Sequence, residues 1–177
     1  GMPYGFPALK KSEYNLLMSW LNRGAIDDTK LDISTSFEKE QILKFEAFLN
    51  NKSIKHQVSA RYIYEHIFLG HIYFDENSGN FFELIRSSTP SGEKAQIIPT
   101  RFPYDEIKEE FYYRIQKIES TIVHKTHVIY KIDDKKLAFF NDIFIKPTWE
   151  EEPYLASYDT TLAPNALEVF KQIPASS

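Results

Sequence analysis

Arg61-Tyr62-Ile63-Tyr64-Glu65-His66-Ile67-Phe68-Leu69-Gly70-His71-Ile72-Tyr73-Phe74 is the stretch on which the fold of this chain turns. It mixes aromatic, aliphatic and ionisable side chains, and burying the ionisable ones without partners costs free energy. Each polar group here therefore either has a partner or faces a site. The first part reads as a helix entered at about Val58. That helix fails near Gly70, and Ile72-Tyr73-Phe74 reads as extended chain. Upstream of this break the sequence is helical, and downstream it changes character.

Upstream, Thr35 and Glu38 have capping-box spacing, and Ile42, Phe45 and Leu49 form one apolar stripe. Together they predict a helix from about Ser36 to Asn50, closed by Asn50-Asn51-Lys52-Ser53. Earlier still, Pro3, Gly5 and Pro7 keep the opening irregular. Ser12 is placed to cap a helix carrying Leu16, Leu17, Trp20 and Leu21, and Gly24 offers its stop. Downstream, after the turn-rich Asp75 to Asn80, four segments read as strands: Phe81 to Ser87, Gln96 to Ile98, Phe111 to Ile118 and Val128 to Ile132. Asp133-Asp134 opens a helix to about Ile143, and Pro164 suits the first turn of a last helix to Gln172. Helices, then strands, then helices predict an α+β fold with an antiparallel or mixed sheet and flanking helices. We divide the chain into residues 1–25, a turn plus helix, and 26–177, the α+β body.

At 177 residues the chain can bury one ordinary core. Fourteen Phe, eleven Tyr and two Trp supply an aromatic core or the walls of a groove for an apolar ligand. A net charge of −4 lacks the basic footprint of a nucleic-acid binder, and no apolar run is long enough for a transmembrane segment. With no cysteine, disulfides, thiolate catalysis, cysteine zinc sites and covalent c-type haem are excluded within these residues. Gly1 ahead of Met2 reads as a residue left by tag removal. Hydrolase, kinase and dehydrogenase chemistry have no support, because no glycine-rich phosphate loop, nucleophile elbow, HExxH or Rossmann fingerprint is present.

Among the groups that could act chemically, His66 and His71 lie about 140° apart on a continuous helix and could share a metal only if the helix breaks at Gly70. His66 alternatively bonds a backbone carbonyl or a tyrosine, with Tyr62 and Leu69 on its face. His124 and His127 point to opposite sides of a strand but converge in a turn. Arg86 ends an apolar strand beside hydroxyl residues, and Arg101 sits between Pro99 and Pro103. A guanidinium on a stiff scaffold suits bidentate binding of carboxylate or phosphate; a structural ion pair with Asp105 or a neighbouring Glu is the other reading.

Several blocks together resemble the bacterial fatty-acid cis/trans isomerase family: Met2-Pro3-Tyr4-Gly5, Phe45 to Asn50, Arg61 to Phe74, Phe82 to Gly92, Thr100 to Asp105, Thr121 to His127 and Ile173 to Ser177. The resemblance implies a longer periplasmic enzyme that turns cis double bonds of membrane fatty acids to trans without ATP or nicotinamide. Members carry a Cys-x-x-Cys-His site for haem c. This chain lacks that site, so it reads as an internal piece or a truncated relative, inactive alone and with no cofactor of its own. Residues 1–25 also resemble the end of a cytochrome c domain, with Met2-Pro3 and then Trp20 to Ala25. Met2 would be an axial haem ligand in the parent, or simply a start methionine before a packing helix. The resemblance implies an unsaturated fatty acid or phospholipid acyl chain, and the haem-bearing remainder of the parent, as partners. Residues 58–74 would line the acyl groove with Tyr62, Arg86 or Arg101 would hold the anionic end, and His66 and His127 would lie near the reacting bond. The competing reading is a non-catalytic module that binds lipid or a partner beside a periplasmic cytochrome.

Overall fold

Short-range capping chemistry sets most of the element boundaries in the computed structural model, which describes residues 9–25, 34–119 and 128–174. The chain divides into two units, Gly1–Ile33 and Ser34–Ser177. In the first, α1 spans Lys11–Asn22. Its cap is Lys10 and not Ser12, because the Glu13 carboxylate accepts the Lys10 backbone N–H at 2.8 Å and starts the helix earlier. It ends in a Schellman turn. The Ala25 N–H bonds the Trp20 carbonyl at 3.0 Å, and Gly24 supplies the left-handed conformation at φ 87° that the turn requires.

In the second unit α2 spans Ser36–Leu49 and α3 spans Ile54–Ile67. The predicted capping box is present: Thr35 Oγ1 accepts the Glu38 N–H at 3.1 Å, and Glu38 accepts the Thr35 N–H at 2.7 Å. Glu38 is fully buried and also takes Ser78 Oγ and Asn80 Nδ2, so the cap carboxylate anchors the 75–80 turn as well. Helix α3 starts a turn before Val58 because Ser53, which read as the end of the preceding helix, caps the next one. It stops where expected, and the Gly70 N–H bonds the Ile67 carbonyl at 2.8 Å.

The chain then enters a four-stranded sheet: β1 (His71–Tyr73), β2 (Phe82–Ser87), β3 (Tyr112–Lys117) and β4 (Ile129–Lys131), in the order β3-β2-β1-β4. The β1–β2 and β2–β3 pairs are antiparallel and β1–β4 is parallel, so the sheet is mixed. Strand β3 is an edge whose outward groups are satisfied by α2 side chains and its cap. Asn50 Oδ1 accepts the Tyr113 N–H and Glu46 Oε1 accepts the Ile115 N–H, at 2.9 and 2.8 Å. Such pairing removes a template for edge-to-edge association.

Gln96 to Ile98 is not a strand. It makes one isolated bridge, Ser87 to Ile97, and Pro99 has no N–H to extend the ladder. Helix α4 spans Asp134–Phe140 and passes into a π-helical turn, Asn141–Ile145, that carries the buried Phe144. The last helix is only α5, Ala166–Val169; Asn165 caps it, so Pro164 lies ahead of the helix and not in its first turn, and Gln172 ties to the Tyr154 backbone at 2.8 and 2.7 Å. The described residues are thus α+β, with five helices before and after a four-stranded sheet. The main core joins Phe45, Phe48, Tyr64, Ile72, Phe82 and Phe144, and a smaller cluster joins Val58, Trp149, Val169 and Phe170. Tyr62 packs against both clusters. No described helix is long and apolar enough to cross a membrane.

Candidate functional site

Register places the chemistry. Arg86 on β2 lies opposite Tyr113 on β3, so both project from one face of the sheet. Helix α3 covers that face with Tyr64, whose ring centroid is 5.3 Å from that of Tyr113 and 5.1 Å from the Arg86 guanidinium. One helical turn earlier, Arg61 pairs with Glu65 at 2.7 Å, both side chains being nearly out of solvent. Its guanidinium lies 3.7 Å above the Tyr158 ring and donates through Nη1 to the Ala156 carbonyl at 2.7 Å. Three phenols and two guanidiniums from four parts of the chain thus form one buried cluster.

Arg86 is 2% exposed yet meets no carboxylate. It donates to the carbonyls of Asp105 and Phe102 and to Thr100 Oγ1, at 2.8, 3.2 and 2.8 Å. Burial raises the pKa of Tyr64 and Tyr158 above the ordinary phenol value, with the neighbouring guanidiniums offsetting part of the effect. Tyr113, deeper, is raised further for the same reason. All three therefore remain O–H donors at neutral pH.

Beside this cluster opens a cleft of about 610 Å³, within the size range of small-molecule sites. Arg61, Phe111, Tyr112, Tyr113, Leu155 and Tyr158 form much of its wall; Asn50, Asn51, Lys52, Gln57, Glu109 and Glu110 supply its polar lining. Arg61, not Arg86, reaches the wall.

The residues singled out from sequence are dispersed. Tyr62 is a packing residue, its ring 5.6 Å from Phe144 and 5.1 Å from Phe170, and it does not line the cleft. His66 bonds the Tyr62 carbonyl at 2.7 Å with its ring tilted against that of Tyr62, but it is exposed and not the core histidine that the apolar run suggests. Arg101 is exposed and lies over the Phe102 ring. The Asp105 carboxylate takes the backbone N–H groups of Arg101 and Phe102, both at 2.8 Å, and not the Arg101 guanidinium. Met2 and His127 lie outside the described residues. Arg61, Tyr113, Tyr158 and Leu155 had not been singled out; the i, i+4 spacing of Arg61 and Glu65 was the available signal for the first.

No group of three or more potential metal ligands occurs among the described residues, and the chain has no cysteine. The donor set that is present does not fit a covalently attached haem.

What the geometry defines is an α+β body with an aromatic cleft walled by a buried arginine. The chain belongs to the fatty acid cis/trans isomerase family, whose model matches residues 1–177, its whole length. No curated protein and no solved structure matches it.

Proposed function

We propose that this chain supplies the acyl-binding surface of a periplasmic, haem-dependent isomerase that converts cis-unsaturated fatty acids of membrane lipids to trans. The family supports the reaction class. Haem dependence and the periplasmic setting come from the sequence resemblance.

The observation that carries the reading is the cleft. Isomerisation exchanges no atoms with the protein; it needs a site that holds the chain out of water and accepts both a bent and a straight isomer. Phe111, Leu155 and Tyr158 offer apolar surface for that purpose, and burial of each methylene contributes roughly 0.8 kcal/mol. The cleft is partly open to solvent, so a chain can enter without threading through the core. The test is Leu155→Trp in the isomerase that carries this chain, with conversion of palmitoleate to its trans isomer followed by gas chromatography. Leu155 is 53% exposed, so the larger ring fills the cleft without disturbing the core. We expect conversion to fall at least tenfold with unchanged thermal stability. Unchanged conversion would remove the cleft from the reaction.

A further inference from the structure

We propose that Arg61, with the phenols around it, is an anion-binding subsite on the cleft wall that takes the oxygens of a carboxylate or a phosphate at the end of an acyl chain. This deepens, and rests on, the reading of the cleft as the acyl site.

The donors are what make the case. Arg61 is 5% exposed, and its Nε and Nη1 are taken by Glu65 and the Ala156 carbonyl. Its Nη2 is buried and has no hydrogen-bond partner. A buried guanidinium nitrogen with its donors unused is unfavourable in a folded protein and is found where something else completes it. Arg86 repeats the pattern: its Nε is likewise buried without a partner. The cluster therefore holds two guanidiniums and one carboxylate, Glu65, and Arg86 is surrounded only by neutral oxygens. Net positive charge and spare donors are both present, and spare acceptors are scarce.

The phenols add to this. Tyr113 and Tyr158 lie close enough to both arginines to feel their charge; the Tyr113 hydroxyl donates to the Tyr158 oxygen, which leaves the Tyr158 proton to turn toward an anion. Glu109 and Glu110 on the lining oppose an anion, Glu110 beside the Tyr112 hydroxyl, whereas Lys52 elsewhere on the lining favours one. Of the two cations on the lining, Lys52 is exposed to solvent and Arg61 is the buried one with a nitrogen unused. With Nε and Nη1 engaged, Nη2 is the nitrogen left to donate to an anion oxygen, from a position fixed by the other two bonds, which the mobile ammonium of a lysine would not reproduce.

The test is calorimetric titration of the 177-residue chain, below micelle concentrations, with palmitoleate, palmitoleyl alcohol and palmitoleoyl lysophosphatidylglycerol. We expect at least one of the two anionic lipids to bind about tenfold or more tightly than the alcohol. Preference for palmitoleate alone assigns the subsite to carboxylate; preference for the lysophospholipid alone assigns it to phosphate. Arg61→Lys should bring the preferred anion close to the alcohol, while binding of the alcohol itself is retained and reports an intact fold. Tyr158→Phe keeps the ring beneath Arg61 and removes one hydroxyl, so it should weaken the anion only. Equal binding of all three lipids by the unsubstituted chain overturns the subsite and leaves the acyl cleft standing. Absence of binding by any of the three overturns the cleft itself. A preference that survives Arg61→Lys also overturns the assignment.

Discussion

Glu46→Gln isolates the charge of a buried ion pair, because the bonds around it can survive the change. Glu46 is 1% exposed and its Oε1 accepts Arg114 Nε at 3.0 Å and the Ile115 N–H at 2.8 Å. Its Oε2 accepts the Ser91 hydroxyl. A glutamine with its carbonyl at the Oε1 position keeps the first two bonds, and the serine hydroxyl can rotate to accept from the new amide. What is lost is the counter-charge to Arg114, itself 7% exposed. Removing one partner of a buried pair costs about 3–5 kcal/mol. Arg114 retains the carbonyls of Thr89, Pro90 and Glu93, so the low end applies, about 3 kcal/mol. For a chain of this length that corresponds to a fall in Tm of about 6–12 °C. The assay is urea unfolding followed by fluorescence of the buried Trp149 in a Trp20→Phe background, which leaves one tryptophan in the chain. Glu46→Gln with Arg114→Met should lose less stability than the sum of the two single changes, since it leaves no unpaired charge and keeps an acceptor for the Ile115 N–H. A loss under about 1 kcal/mol for Glu46→Gln, or additivity of the two single changes, would refute the ion-pair reasoning.

Three further outcomes follow from the same structure. Gly70→Ala should cost about 1–3 kcal/mol, as its Cβ would stand 2.6 Å from a Tyr130 ring carbon, and adding Tyr130→Ala should restore part of the loss by relieving the clash. The raised Tyr113 pKa means that the fold favours the protonated phenol: its contribution is complete below the unfolded value near 10.0 and is lost as pH rises toward the folded value. Denaturation between neutral and alkaline pH should show a decline above pH 10 with a slope of up to about 1.4 kcal/mol per pH unit from this group, and Tyr113→Phe should flatten it. Arg86→Lys keeps the charge but cannot reach the carbonyls of Asp105 and Phe102 and Thr100 Oγ1 together. Thermal unfolding should show a loss of about 2–4 kcal/mol, with the anionic-lipid preference retained.

Elements whose causes lie within one turn were legible in the sequence. The Thr35–Glu38 box, the halt at Gly70 and the apolar runs of β2 and β3 are decided by neighbours a few residues away. The misses share a different origin. Ser53 serves as a cap, but a cluster of turn residues does not show whether it closes one helix or opens the next. Gln96 to Ile98 has strand composition, yet its pairing partner is exhausted after one bridge. Pro164 fits a first helical turn, but Asn165 takes the cap with its side chain and only four helical residues follow. In each case two local options compete, and composition alone does not show which of them wins.

The candidate site was less legible, for a physical reason. Arg86 stood out because an arginine ends an apolar strand, and the structure does bury it beside the cleft cluster. Its own hydrogen bonds to the 100–105 segment absorb most of its donors, so an arginine conspicuous in sequence became mainly a clamp. Arg61 was the quieter residue, apparently satisfied by Glu65 one turn on. A carboxylate in that position satisfies one edge of a guanidinium and leaves the rest to be settled by whatever the chain brings over it. Here residues 156–158 bring a carbonyl and an aromatic face but no second acceptor. The same contact that buries Arg61 thus leaves Nη2 without a partner. Helical spacing can identify a partner for an arginine; whether that arginine is finished depends on the segment that covers it.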